Sequence, residues 1–208
     1  MKKDNYIIKS LNGMAYGFFC SLIIGTIFKQ IGNFANISQL VAWGEVATYL
    51  MGPAIGAGIA YAIDAKGLNL IAAVIAGTIG AGTFNGNTAT TGNPIAAFVA
   101  VIIAVEVTRL VQGKTPVDIL LVPFTSIIVA GIVTIFIGPY ITKLIVWIGD
   151  LINQGVNMQP FFMSIVVAVL MGMALTAPIS SAAIGVMLGL NGLAAGAALA
   201  LSLIHISE

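Results

Sequence analysis

The sequence predicts an all-α fold: a polytopic transmembrane helix bundle of about six to seven spans with broken or re-entrant segments. Three observations predict it. Hydrophobic residues make up 59% of the 208-residue chain and charged residues 7%, with a mean hydropathy of +1.08, far more apolar than a soluble domain. The apolar residues fall into runs near the twenty that a helix needs to cross hydrocarbon. Polar residues gather in two uncharged, proline-containing breaks. The 24 glycines fit the same picture, because small residues let membrane helices approach closely.

The composition also excludes function classes. A net charge of +1 gives no case for a nucleic acid or an acidic partner. The single cysteine, Cys20, sits inside an apolar run, so one chain can build neither a disulfide nor a zinc cluster. It reads as a buried small hydrophobe. No nucleophile and base pair can be assembled either, so an autonomous intramembrane enzyme is the least favoured reading, and no cofactor is expected.

In chain order, the basic start MKKDNYIIKS resembles a signal peptide, but the long apolar segment after it lacks a cleavage site and is a retained first span. Counting that first one, spans fall at 11–31, 39–63, 67–84, 94–112, 118–141 and 161–177, with a less defined segment at 180–204. Lys2, Lys3, Lys9, Lys66, Arg109 and Lys114 fall on one side and only Lys29 and Lys143 on the other, which predicts a cytoplasmic N-terminus. Trp43 and Trp147 lie near span ends, as interfacial aromatics do. The pairs Gly13/Gly17, Gly52/Gly56, Gly185/Gly189 and Gly192/Gly196 are four apart and predict tight helix contacts. Pro53, Pro123 and Pro178 fall within or at the edges of apolar runs, where each removes a backbone donor. Ile141, Leu144, Ile145, Ile148 and Ile152, around Lys143 and Asp150, predict either an amphipathic helix along the outer interface or an extension of the fifth span.

The functional signal is concentrated in Gly77–Pro94, GTIGAGTFNGNTATTGNP, which carries no charge. Asn85, Asn87, Thr88, Thr90, Thr91 and Asn93 there can donate and accept hydrogen bonds with a neutral, hydroxyl-rich ligand. Phe84 is a candidate to stack on its ring. The competing reading is a polar outer loop whose Asn and Gly residues serve turn geometry. Around Pro178, Thr176, Ser180 and Ser181 form a second uncharged break, and paired discontinuities of this kind mark transporter sites. Glu45 has no charged residue within helical reach and is a candidate for ligand or proton contact, against an interfacial glutamate held near headgroups. Glu106 has Arg109 three residues on, an ion pair that accounts for both. His205 lies in the terminal LSLIHISE, where the Ala/Gly-rich pattern stops; this octapeptide resembles adaptor read-through and is given no role.

The stretches GMAYGFFCSLIIGTIFKQIG, NGNTATTGNPIAAFVA, TPVDILLVPFTSIIVAGIVTIFIGPYI and LTAPISSAAIG together resemble the IIC membrane subunits of the bacterial sugar phosphotransferase system, in the family also described as toxin-regulator membrane proteins. The resemblance implies one IIC-like transmembrane domain over 1–200, shortened relative to longer family members; the likeness of the last octapeptide to adaptor read-through makes 201–208 a suspected non-native tail. It implies a sugar permease in the bacterial plasma membrane, working with IIB and IIA proteins as a homodimer. The phosphoryl group would come from the IIB protein, and Arg109 and Lys114 could dock that partner or simply anchor the cytoplasmic side. Two alternatives stand beside it: a solute-sensing regulatory membrane protein without transport, and an ion-coupled carrier.

Overall fold

The computed structural model describes residues 3–82, 84–85, 88–89, 92–114, 116–144 and 147. Outside them lie Asn87, Thr90 and Thr91, most of the segment expected to be amphipathic, the spans 161–177 and 180–204, and Thr176, Pro178, Ser180, Ser181, the last two glycine pairs and His205. The chain forms two compact units, Met1–Pro139 and Tyr140–Glu208. The architecture below is that of the first.

Among the described residues the first predicted span is the longest helix. It comprises α1 (Lys3–Phe18), a π-helical turn (Phe19–Ile23) and α2 (Ile24–Ala35). Tyr6–Ala35 alone gives 30 continuous residues that are long and apolar enough to cross a membrane. Cys20, expected to be buried, is exposed at the π turn. The extra residue of a π turn rotates the following side chains, so the outward face here is not the one a regular helix would show. The helix closes at Asn36, which adopts φ 54° while the Ile37 N–H donates back to the Gly32 carbonyl at 2.8 Å. Asn tolerates this left-handed geometry better than most residues.

The second predicted span, 39–63, is two helices, α3 (Ser38–Tyr49) and α4 (Met51–Ala62), parted at Leu50. Pro53 falls in the first turn of α4, where it has no N–H to continue the ladder from α3. α4 ends as α2 does: Asp64 takes φ 60° and the Ala65 N–H donates to the Ala60 carbonyl at 2.8 Å. Next come α5 (Leu68–Ala81), the two-residue strands β1 (Phe84–Asn85) and β2 (Thr88–Ala89), α6 (Pro94–Val111) and α7 (Asp118–Phe136), which holds Pro123 inside it. α6 and α7 are also long and apolar enough to span; α5, with 14 residues, is shorter.

The helices cross on small residues. A methyl group at Gly13 would overlap the Gly58 carbonyl, and one at Gly58 would overlap that of Gly13; Gly17 meets Ala54 in the same way. α1 therefore lies backbone to backbone on α4. Gly25 and Gly44 make the reciprocal contact between α2 and α3, while Gly56 against Ala73 and Gly77 against Gly52 join α4 to α5. The pairs Gly13/Gly17 and Gly52/Gly56 thus serve as the sequence predicts. In lipid such close approach supplies the van der Waals contact that holds helices together. Buried Asn69 and Thr108 bond to each other between α5 and α6. Ser126 and Thr134 of α7 donate to the α5 carbonyls of Ala72 (3.1 Å) and Ile79 (3.4 Å), which fixes α7 parallel to α5.

These registers set a common height scale. Lys9 pairs with Asp64 at 3.6 Å at one end of the bundle. Lys29 is twenty residues further along the helix, about 30 Å at a 1.5 Å rise, the thickness of a hydrocarbon core. α5 starts just beyond Lys66 and is only about 21 Å long, so it stops roughly 9 Å short of the Lys29 level. The contacts Gly17–Ala54, Gly25–Thr48 and Gly52–Gly77 put the π turn, the Leu50 break and the end of α5 within a turn or so of one another in height. The interruptions of regular backbone therefore cluster at one depth.

Candidate functional site

The polar loop grows from that depth. Gly82 ends α5 with φ 65°, its N–H donating to Ile79 at 3.0 Å. The chain then makes the antiparallel β1–β2 pair, with Phe84 opposite Ala89 and Asn85 opposite Thr88. It returns to its point of departure: the Asn93 N–H donates to the Ala81 carbonyl at 2.8 Å, and a methyl at Gly92 would overlap that same carbonyl. Of the predicted loop ligands, Asn85 and Thr88 have described backbone, in the strand pair, and Asn93 has a described side chain.

Asn93 has a structural task. Its Oδ1 accepts from the backbone N–H groups of Ile95 (3.0 Å) and Ala96 (3.1 Å), with Pro94 as the first helical residue of α6. The signal for this was present in the sequence, since Asn directly before Pro is the signature of a helix N-cap. Asn93 therefore holds the rim of the loop in place.

Glu45 lies elsewhere. It is half-buried in an open groove of about 390 Å³ between α2 and α3, lined also by Asn33, Asn36, Ser38, Val41 and Ala42. Its neighbour Gly44 packs against the stem of Lys29, so Glu45 sits near the Lys29 level, above the end of α5. No ion pair engages its carboxylate among the described residues, and Gly82, Gly92 and Asn93 are not among the residues described as lining the groove.

The opposite end of the bundle is fastened by charge. Glu106 and Arg109 pair at 2.8 Å, as their spacing predicts. The structure adds partners that helical spacing does not indicate: the Tyr6 hydroxyl donates to Glu106 at 2.6 Å, and Arg109 donates to the Ile63 carbonyl. This clamp ties α1, α4 and α6 together beside the Lys9–Asp64 pair. Lys66 and Lys114 are exposed at the same end. Among the described residues no group of three His, Cys, Asp or Glu could hold a metal ion.

A protein-family model described as Phosphotransferase system, EIIC matches residues 8–202, nearly the whole chain. No curated protein and no solved structure matches.

Proposed function

Because the chain belongs to the EIIC family of the phosphotransferase system and is a membrane-embedded component of a sugar permease, we propose that it carries a sugar past the loop Gly82–Asn93 for phosphorylation by a partner IIB protein. One observation supports this reading: α5, with 14 residues, is about 21 Å long, short of the roughly 30 Å of a hydrocarbon core, so we take the loop to begin at hydrocarbon depth. Irregular backbone at that depth is tolerated only where protein or a water-filled cavity surrounds it, because each unpaired amide in lipid costs several kcal/mol. A wet cavity lined by Asn85, Asn87, Thr88, Thr90 and Thr91 suits sugar hydroxyls, which donate and accept as these side chains do. Thr176, Ser180 and Ser181 are proposed to approach the same path from the second polar break. Asn93 positions the loop by capping α6.

The N-terminus is proposed to be cytoplasmic, which puts the Glu106–Arg109 clamp, Lys66 and Lys114 on the side where IIB docks. The transfer step moves a phosphoryl group from a phosphorylated IIB side chain to a sugar hydroxyl. The new O–P bond forms as the bond to the carrier breaks, and the hydroxyl proton leaves to a base. Among the described residues there is no histidine and Cys20 lies within a span, so the donor is assigned to the partner. The phosphate's charge then keeps the product inside.

The test is uptake of radiolabelled hexoses by vesicles that hold the chain, with and without phosphorylated IIB. The expected result is accumulation of sugar phosphate only with IIB, falling about tenfold in Asn87→Ala, as expected for one lost hydrogen bond worth about 1.4 kcal/mol. Accumulation of unmodified sugar driven by an ion gradient would overturn the reading in favour of a coupled carrier. Sugar binding without any uptake would overturn it in favour of a sensor.

A further inference from the structure

We propose that the groove between α2 and α3 binds the headgroup of an ethanolamine phospholipid, with Glu45 as the counter-charge to its primary ammonium. The inference rests on the membrane placement of the first hairpin and is independent of the sugar path. Depth comes first. Glu45 lies near the level of Lys29, about 30 Å of helix above the Lys9–Asp64 pair, so both ends of this span fall at hydrocarbon boundaries. A groove at that height opens where phospholipid headgroups are.

The lining selects among headgroups. Glu45 supplies a carboxylate, Asn33 and Asn36 supply amide oxygens and Ser38 a hydroxyl, while no Lys or Arg is among the described lining residues. Lys29, the nearest cation in sequence register, has its stem packed along Gly44 and makes no ion pair with Glu45. A carboxylate surrounded by acceptors favours a cation that can donate several hydrogen bonds, which describes a primary ammonium and not a trimethylammonium. The amide N–H groups of Asn33 and Asn36 can serve the adjoining phosphate. The volume, about 390 Å³, falls in the range of small-molecule sites. On the Lys9 side of the groove the same hairpin is apolar on its outside: Ile24, Ile27, Phe28 and Val46 are exposed. Acyl chains have a surface to lie on below the headgroup.

The experiment uses the full chain in nanodiscs of mixed phosphatidylethanolamine and phosphatidylcholine, with lipids that survive release counted by native mass spectrometry. Ethanolamine lipid should be retained over choline lipid, and Glu45→Gln should reduce that preference about tenfold, while Glu106→Gln at the other end leaves it unchanged. Glu45→Asp, which keeps the charge but shortens the reach, should fall between, and it serves as the reading should Glu45→Gln fail to assemble. Equal retention of the two lipids, an unchanged preference in both Glu45 variants, or displacement of the lipid by soluble glucosamine would each overturn the proposal.

Discussion

The bundle of α1, α4, α5 and α6 and the hairpin arm of α2 and α3 are built from similar apolar residues, yet these meet opposite fates. In the bundle Phe18, Met51, Ile55, Ile59, Val101 and Val105 are buried; in the arm Ile24, Ile27, Phe28, Ile31, Trp43 and Val46 are exposed. Both regions have glycine seams, Gly13/Gly58 in one and Gly25/Gly44 in the other. What differs is the number of neighbours. Among the described residues α4, α5 and α6 each meet several other helices, whereas α2 and α3 pack chiefly on each other. In a bilayer, hydrophobicity places a segment in the membrane, and the small-residue seams decide which faces become core.

The sharpest way to break this comparison is a matched pair of truncations. Phe18→Ala removes a side chain with no exposed surface, and Phe34→Ala one that is 95% exposed. The first should lower stability by about 3–5 kcal/mol through the cavity it leaves, and the second should change it little. Unfolding of the purified chain in detergent by increasing sodium dodecyl sulfate reads both. Similar losses at the two sites would mean that the arm is covered as the bundle is, and the contrast would fail.

Next in size is the clamp, which belongs to the bundle side alone. Tyr6→Phe deletes the hydroxyl that donates to Glu106 while leaving the Glu106–Arg109 pair in place. A loss of about 1–2 kcal/mol is expected, because the acceptor is charged. Mutating Glu106→Gln in the Tyr6→Phe background should then cost less than it does in the native chain, since the two groups act on one bond. Additive losses would show that Tyr6 serves by packing alone.

Smaller again is the cap that joins the bundle to the polar loop. Asn93→Ala removes the oxygen that accepts from Ile95 and Ala96, at a cost of about 1 kcal/mol. Asn93→Asp should retain most of the stability, because a carboxylate also caps. If sugar transport falls in Asn93→Ala and recovers in Asn93→Asp, the residue acts by holding the loop. If it falls equally in both, Asn93 contacts the sugar through its amide.

Much of this was legible in the sequence, and what was not has a physical cause. The first span, α6, α7, the glycine pairs of α1 and α4 and the Glu106–Arg109 pair follow from periodicity and spacing, which are local. The role of Tyr6 was not legible, because its partner is 100 residues away and only the register of α1 against α6 brings them together. The split of 39–63 at Leu50 was half legible: Pro53 marked it, but an apolar run gives no sign of whether a proline kinks a helix or parts it. The height at which the polar loop begins was hidden because a hydropathy window sees how apolar 67–84 is, and not that α5 ends at Ala81.

The smallest expected effect bears on the arm. Asn36 and Asp64 close their helices with the same left-handed turn, at φ 54° and 60°, and glycine would adopt either geometry without a Cβ penalty. In Asn36→Gly the relief of that penalty is offset by the greater freedom glycine has in the unfolded chain, so stability should stay within about 0.5 kcal/mol of the native value. The amide of Asn36 lines the groove with Glu45, however, so the preference for ethanolamine lipid should weaken while the fold does not. A loss of stability above about 1 kcal/mol would instead mark Asn36 as a structural stop for α2. That outcome would leave the arm, like the bundle, held by its own side chains and not by the lipid around it.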